Sequence, residues 1–315
     1  MLSFFGQRLG QGAVVLVLIS LITFSLINLA PGGPSSAVRL DTTAEQREVL
    51  IKQLGLDRPL AVRYLEWGGG VLRGDFGTSM NGGEPVGPKL LERLGNTAQL
   101  ALAALVLSVV VGIPLGILTA LRKNSPLDHA VNGVTTLGMS IPDFWTGIMA
   151  ILLFAVTLKV LPSAGMYDAS GGFSLSGWLR HTILPASVLA FVMLPNLVRF
   201  TRSSLLEVLR ADYLRSARAK GLSERIVILK HALRNALVPI VAMVGLILPA
   251  LLSGSVIVES VFGWPGMGRM AVDAALGRDY TTVMAVTVVA GAVVIITNLV
   301  VDLAYTLIDP RIRHD

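Results

Sequence analysis

The residues able to do chemistry in this chain are few, and none is arranged for catalysis. Its four histidines, His129, His181, His231 and His314, are far apart in sequence, and there is no cysteine. No thiolate metal site, disulfide or cysteine nucleophile can form. The chain has no H-E-x-x-H pair, no G-x-S-x-G nucleophile turn and no G-x-x-x-x-G-K-[ST] phosphate loop. What remains is a scatter of polar residues inside strongly apolar stretches: Asp143, Asn196, Arg199, Glu259, Asn298 and Asp302. A charge at mid-bilayer costs about 2.5 to 3.5 kcal/mol even on a lenient insertion scale, so such residues mark ion pairs, gates or solute contacts. Asp302 precedes the basic end DPRIR by about two turns, at the level where Arg199 and Arg202 close an earlier apolar stretch. An ion pair from Asp302 to Arg199 or Arg202 is expected. The alternatives are a gate, or a proton relay in a proton-coupled secondary transporter.

The elements that carry these residues must be membrane spans. The chain has 315 residues, 53% hydrophobic and 15% charged, with a mean hydropathy of +0.70, whereas soluble domains carry about 25% charged residues. Six windows are long and apolar enough to cross about 30 Å of hydrocarbon: 10–30, 97–121, 134–161, 183–200, 237–258 and 282–308. They predict an all-α, six-span membrane protein that forms a single transmembrane domain over 1–315. The first window reads as a retained span, because PGGP rather than a small-residue cleavage site follows it.

Basic residues set the orientation. With the N-terminus inside, 14 Lys/Arg fall in short inner segments: Arg8, Arg122, Lys123, nine between Arg199 and Asn235, and Arg311 with Arg313. That pattern predicts an N-in, C-in topology. The net charge of +6 is thereby assigned to the membrane, and no nucleic-acid partner is expected.

Two connections are long. Outer loop 31–96 combines a polar helical stretch, TTAEQREVLIKQLGL with Thr43 as its N-cap, and LAVRYLEWGGGVLRGDFGTSM, which reads as a hairpin or packed loop over the mouth of the bundle. The last outer loop places Trp264, Pro265, Gly266 and Gly268 in a turn before a short MAVDAAL helix, read as a re-entrant plug or, by the usual place of Trp, an interfacial anchor. Interior prolines (Pro114, Pro142, Pro185, Pro195, Pro249) predict helices kinked around a space.

The inner loop 201–236 reads as a joint. Leu205, Leu206, Leu209 and Tyr213 form an apolar stripe from about Ser204 to Lys220, with Arg202, Arg210, Arg215, Arg218 and Lys220 on the other faces. Gly221 breaks that helix and Ser223 can cap the next. There Leu222, Ile226, Leu229, Leu233 and Leu237 recur as one stripe leading into the fifth window, where Pro239 lies. Two amphipathic helices meeting at a glycine can fill a groove on a soluble partner or lie on anionic lipid, and periodicity does not separate these uses.

The segment ADYLRSARAKGLSERIVILKHALRNALVP resembles the cytoplasmic loop of ABC-importer permeases, described by E-A-A with a glycine four residues on. Here Arg215, Ser216 and Ala217 hold the first three positions and Gly221 the last. Arg for Glu, Ser for Ala and the interval to Pro239 resemble the dipeptide and oligopeptide branch. So do LGLDRPLAVRYLEW, GDFGTSM, GIPLGILTALRK, SIPDFW, TRSSLLEVLRADY, ESVFGWPGMGR and NLVVDLAYTLIDPRIR, over nearly the whole chain. The resemblance implies a multi-pass permease of the bacterial inner membrane, half of a translocation path. Its partners would be a homologous second permease, two cytoplasmic ATPase subunits and an extracytoplasmic solute-binding protein. ATP and Mg²⁺ would then be held by the ATPase partners and no cofactor by this chain, which would not be an enzyme. The coupling contacts would be Arg215, Ser216, Ala217, Arg218, Gly221 and Leu222. Dipeptides, longer peptides, glutathione and nickel chelates are all cargo of similar systems.

Overall fold

A computed structural model describes residues 2–29, 57–168 and 174–308. Among them the secondary structure is helical apart from one isolated bridge between Thr78 and Pro85. The helices are α1 (Leu2–Leu29), α2 (Leu60–Leu72), α3 (Val86–Leu121), α4 (Pro126–Ser140), α5 (Asp143–Ala150), α6 (Leu175–Leu209), α7 (Asp212–Ala219), α8 (Glu224–Ile226), α9 (Leu233–Gly254), α10 (Val256–Val261), α11 (Met267–Leu276) and α12 (Tyr280–Ile308). π-helical turns continue α5 over Ile151–Thr157 and join α8 to α9 over Val227–Ala232. Five helical stretches are long and apolar enough to cross a membrane, and α4 with α5 makes a sixth if that bent pair is one span.

The third apolar window is therefore not one straight helix. α4 and the α5 segment meet at 104°, because Pro142 disfavours helical backbone at the residue before it and Ile141 is extended at φ −95°, ψ 126°. Other prolines are absorbed differently: Pro114, Pro185, Pro195, Pro239 and Pro249 all lie inside helices. α3 begins at Val86, ahead of the apolar window that starts at residue 97.

The chain divides into two compact units, Met1–Thr97 with Pro265–Ile296, and Ala98–Trp264 with Thr297–Asp315. In the first, Val86, Leu90, Met267, Met270, Ala285 and Val286 form the core, with Phe76 and Leu94 against it. The loop before α3 is tied to the start of α12 by a buried carboxylate. Asp279 accepts hydrogen bonds from Ser79 Oγ, from Met80 N–H at 3.1 Å, and from Thr282 through its N–H at 3.2 Å and its hydroxyl at 2.7 Å. Of the expected hairpin or packed loop after residue 60, the first part is helix α2 and the rest is this docked loop, in which Thr78 and Pro85 form the antiparallel bridge. Its preceding polar stretch with Thr43 lies outside the described residues.

In the second unit, Leu100, Ala104, Leu184, Val188, Leu189, Leu251, Val258, Phe262 and Trp264 build the main core. Trp264 is fully buried there, not set as an anchor at a water interface. α3 and α6 approach closely: a side chain at Gly116 would fall 2.5 Å from Thr201 Cβ and 2.8 Å from the Val198 carbonyl. Small residues permit such backbone proximity between membrane helices, where dispersion replaces the hydrophobic drive.

Candidate partner-docking site

The joint after α6 is built on one fully buried leucine. α6 ends at Leu209, Arg210 closes it, and Ala211 turns extended (φ −67°, ψ 142°) to start α7. Leu214 then inserts among Ala120, Leu205, Val227, Ala232 and Ala236, with Ala217 packed alongside. Two hydrogen bonds brace the same place: Ser204 Oγ donates to the Ala236 carbonyl (3.1 Å) and Asn235 Nδ2 to the Tyr213 hydroxyl (2.8 Å). α3, α6, α7 and α9 thus share one apolar cluster.

The turn itself is a glycine C-cap. Gly221 has φ +76°, its N–H donates to the Arg218 carbonyl, and the Leu222 N–H reaches back to Ala217 at 3.4 Å. This is the paired closure of a Schellman motif, in which the left-handed residue is favourably glycine. Ser223 occupies the start of α8 but its side chain makes no cap bond, so the cap expected of it is not formed. Arg218 chelates Glu224 at 3.1 and 2.8 Å, and this hydrogen-bonded carboxylate pushes the guanidinium pKa further up. Arg215 lies 3.3 Å from Asp212, and Ser216 Oγ donates to the Asp212 carbonyl at 3.2 Å.

The apolar stripe faces the opposite way from a simple helical reading. Leu222, Ile226 and Leu229 are 38%, 44% and 59% exposed, while Val227, Ala232, Ala236 and Ile240 are buried. Spacings of four, three and four assume an unbroken α-helix. The π-helical turn over Val227–Ala232 widens one interval to five and rotates the inward face. The joint consequently presents an apolar ridge outward, flanked by exposed Arg215, Arg218 and Lys220.

Of the polar residues expected along a path or gate, Glu259 is fully buried on α10 and accepts a hydrogen bond from Ser255 Oγ (2.8 Å). Asp143 sits in the first turn of α5 and accepts from the N–H of Phe144 (2.9 Å). Asn196 and Arg199 on α6 and Asn298 on α12 are exposed, and Asp302 is half-buried. The carboxylate partner of Arg202 is Asp128, not Asp302: the guanidinium forks onto both carboxylate oxygens at 2.8 Å. Asp128 also accepts from the Asn124 N–H (3.0 Å) and Asn132 Nδ2 (2.7 Å), while Ser125 Oγ caps its helix. Sequence reasoning missed Asp128. The local signal was Ser125-Pro126 with an acid in the first turn of a helix, but nothing local reveals a partner 74 positions away.

Taken together, the fold and joint describe a helical membrane protein with an exposed, braced corner between α7 and α8. Comparison with known proteins gives the family: the chain belongs to the binding-protein-dependent transport system inner membrane components, matched over residues 112–314, and the N-terminal domain of the same class is matched over residues 1–101. It is a multi-pass inner-membrane permease subunit of an ABC importer, a class whose ATPase is a separate subunit.

The chain is 40% identical over 303 residues to the oligopeptide transport system permease protein AppB of Bacillus subtilis (strain 168), covering 95% of this chain and 96% of the relative. It is 38% identical over 337 residues to the dipeptide transport system permease protein DppB of Escherichia coli (strain K12), covering 100% and 99%. Among solved structures, the inward-facing MetNI methionine ABC transporter superposes with a TM-score of 0.58 at 19% identity, over 70% of this chain and 96% of that one. That likeness concerns the fold alone. The proton-coupled alternative resting on Asp302 finds no support among these relatives.

Proposed function

We propose that this chain forms one half of a path for dipeptides or oligopeptides, and that the α7–Gly221–α8 corner is where an ATPase subunit docks. The names of the relatives support the peptide cargo. The docking assignment rests on one observation above all: an apolar ridge of Leu222, Ile226 and Leu229 stands exposed on a corner whose other face is locked by Leu214. The remaining partners in this reading are a homologous second permease and an extracytoplasmic solute-binding protein, with ATP and Mg²⁺ held by the ATPase pair. The topology is N-in, C-in, which puts the corner in the cytoplasm.

Mechanically, a groove that covers the ridge gains about 1.5 to 3 kcal/mol for each large apolar side chain fully buried. Turning a gate from 1:99 to 99:1 takes about 5.5 kcal/mol of differential binding, within reach of such an interface. Because Leu214 shares its cluster with Ala120, Leu205 and Ala236, a pull on α7 is delivered to α3, α6 and α9 together. Their rearrangement opens the path alternately to either side. Asn196 and Asn298, exposed within spans, line the path in this account, since polar side chains in spans face protein or water rather than lipid. Asp143, Arg199, Glu259 and Asp302 complete the proposed gate set.

The test is co-purification of the assembled transporter with Leu222→Asp or Ile226→Asp in this chain. The ATPase subunits should be lost while the two permeases stay together. Full retention of the ATPase in both variants would overturn the docking assignment.

A further inference from the structure

We propose that α2 is not part of a water-exposed loop but a membrane-inserted helix, lying against α1 and presenting its outer face to lipid acyl chains. The depth comes from a hydrogen bond. The hydroxyls of Tyr64 on α2 and Ser20 on α1 are hydrogen-bonded at 2.8 Å. Ser20 lies nine residues before the end of α1 at Leu29, about 14 Å along the axis at 1.5 Å per residue. Hydrocarbon is about 30 Å thick, so the Tyr64 hydroxyl reaches close to the bilayer midplane. The phenol is long enough for its own backbone to sit one turn nearer the surface.

Further contacts keep the first half of α2 in that leaflet. Phe24 meets Tyr64 edge-on at 5.4 Å. One cleft of about 370 Å³ is lined by Leu21, Phe24 and Leu29 of α1 and by Leu60, Ala61 and Leu65 of α2. Residues 60–65 of α2 therefore run beside the last third of a span.

Its composition suits that place. No residue of α2 is buried in the chain, and Leu65 and Leu72 are 71% and 90% exposed. In water such a helix would show apolar side chains without cover, whereas an acyl environment covers them. Its ionic groups are answered locally. Glu66 pairs with Arg58, and the Arg63 guanidinium stands 5.8 Å over the Phe24 ring. A cation on an aromatic face and a neutralised carboxylate lower the cost of leaving bulk water. Lipid is the occupant these facts select, because the exposed face is level with a segment of α1 that must itself meet the hydrocarbon.

The absence of native cysteine makes the test direct. Single substitutions Leu65→Cys, Val62→Cys, Ile22→Cys and Lys123→Cys are made in the assembled transporter in lipid nanodiscs. Each is treated with a membrane-impermeant maleimide, or labelled with bimane beside acyl-nitroxide phospholipid. On the proposal, Leu65→Cys reacts about tenfold more slowly than Lys123→Cys, as expected for a site shielded from water, and its bimane is quenched as strongly as that at Ile22 on α1. Val62→Cys on the same helix repeats the reading if Leu65→Cys fails to assemble. Reaction at the rate of Lys123→Cys would overturn the proposal. So would slow reaction without quenching, which means a protein covers α2, or protection that arises only when a solute-binding protein is added.

Discussion

Two corners in this molecule turn one helix into the next, and they are finished in opposite ways. At the corner between α11 and α12, Asp279 is buried and takes its hydrogen bonds from Ser79, Met80 and Thr282. Asn81 adds a bond to the Gly277 carbonyl at 3.0 Å. At the corner between α7 and α8, the backbone closes on Gly221 and the capping serine makes no side-chain bond. Among the described residues its side-chain ion pairs, Arg215 with Asp212 and Arg218 with Glu224, are exposed, a kind of pair that contributes about 0 to 1 kcal/mol. The first corner has spent its polar groups within the chain. The second keeps an apolar ridge and three cationic side chains facing out, while Leu214 fixes the geometry from behind. The structural turn and the proposed docking turn differ in where their apolar and polar groups are satisfied, not in helix content.

Substitutions can break this contrast, and the largest effect belongs to the ion pair between buried Asp128 and part-buried Arg202. Asp128→Ala strands the Arg202 guanidinium and should cost about 3 kcal/mol, read as a lower midpoint of thermal unfolding of the purified complex. Asp128→Leu combined with Arg202→Met should recover most of it, because no charge is then left buried. Asp279→Ala should come next, costing about 2 to 3 kcal/mol from lost charge-assisted bonds, with α12 fraying in hydrogen exchange. Gly221→Ala should cost about 1 to 2 kcal/mol, since an L side chain there must hold a left-handed backbone. Ser223→Ala should change stability by no more than a few tenths of a kcal/mol. Its side chain caps nothing, unlike the helix starts where such a change costs about 1 kcal/mol. A large loss at Ser223 with none at Asp279 would reverse the contrast.

Much of this was legible in the sequence, for reasons that separate local from long-range physics. Apolar length showed the spans, Gly221 showed the break, and the string around Arg215 to Leu222 showed the family, because each of these signals is continuous in the chain. The direction of the stripe at Leu222, Ile226 and Leu229 was not legible: it depends on one π-helical turn that leaves no compositional mark. Nor was the choice of Asp128 over Asp302 for Arg202, which tertiary packing alone decides. The helix at α2 was not legible because the glycines at 68, 69 and 70 suggest a loop, whereas the helix runs through them to Leu72. Trp264 reads as an anchor by residue type, yet the core of its unit encloses it.

The central claim, that the Gly221 corner is the ATPase contact, is best tested by site-directed cross-linking in a chain with no competing thiol. Leu222→Cys in the assembled transporter is labelled with a benzophenone maleimide, whose photoactivated ketone inserts into any neighbouring C–H bond, beside Asn81→Cys on the other corner as reference. The account predicts a cross-link from residue 222 to an ATPase subunit and none from residue 81. An intact complex with no product at residue 222, or equal products at both corners, would contradict it.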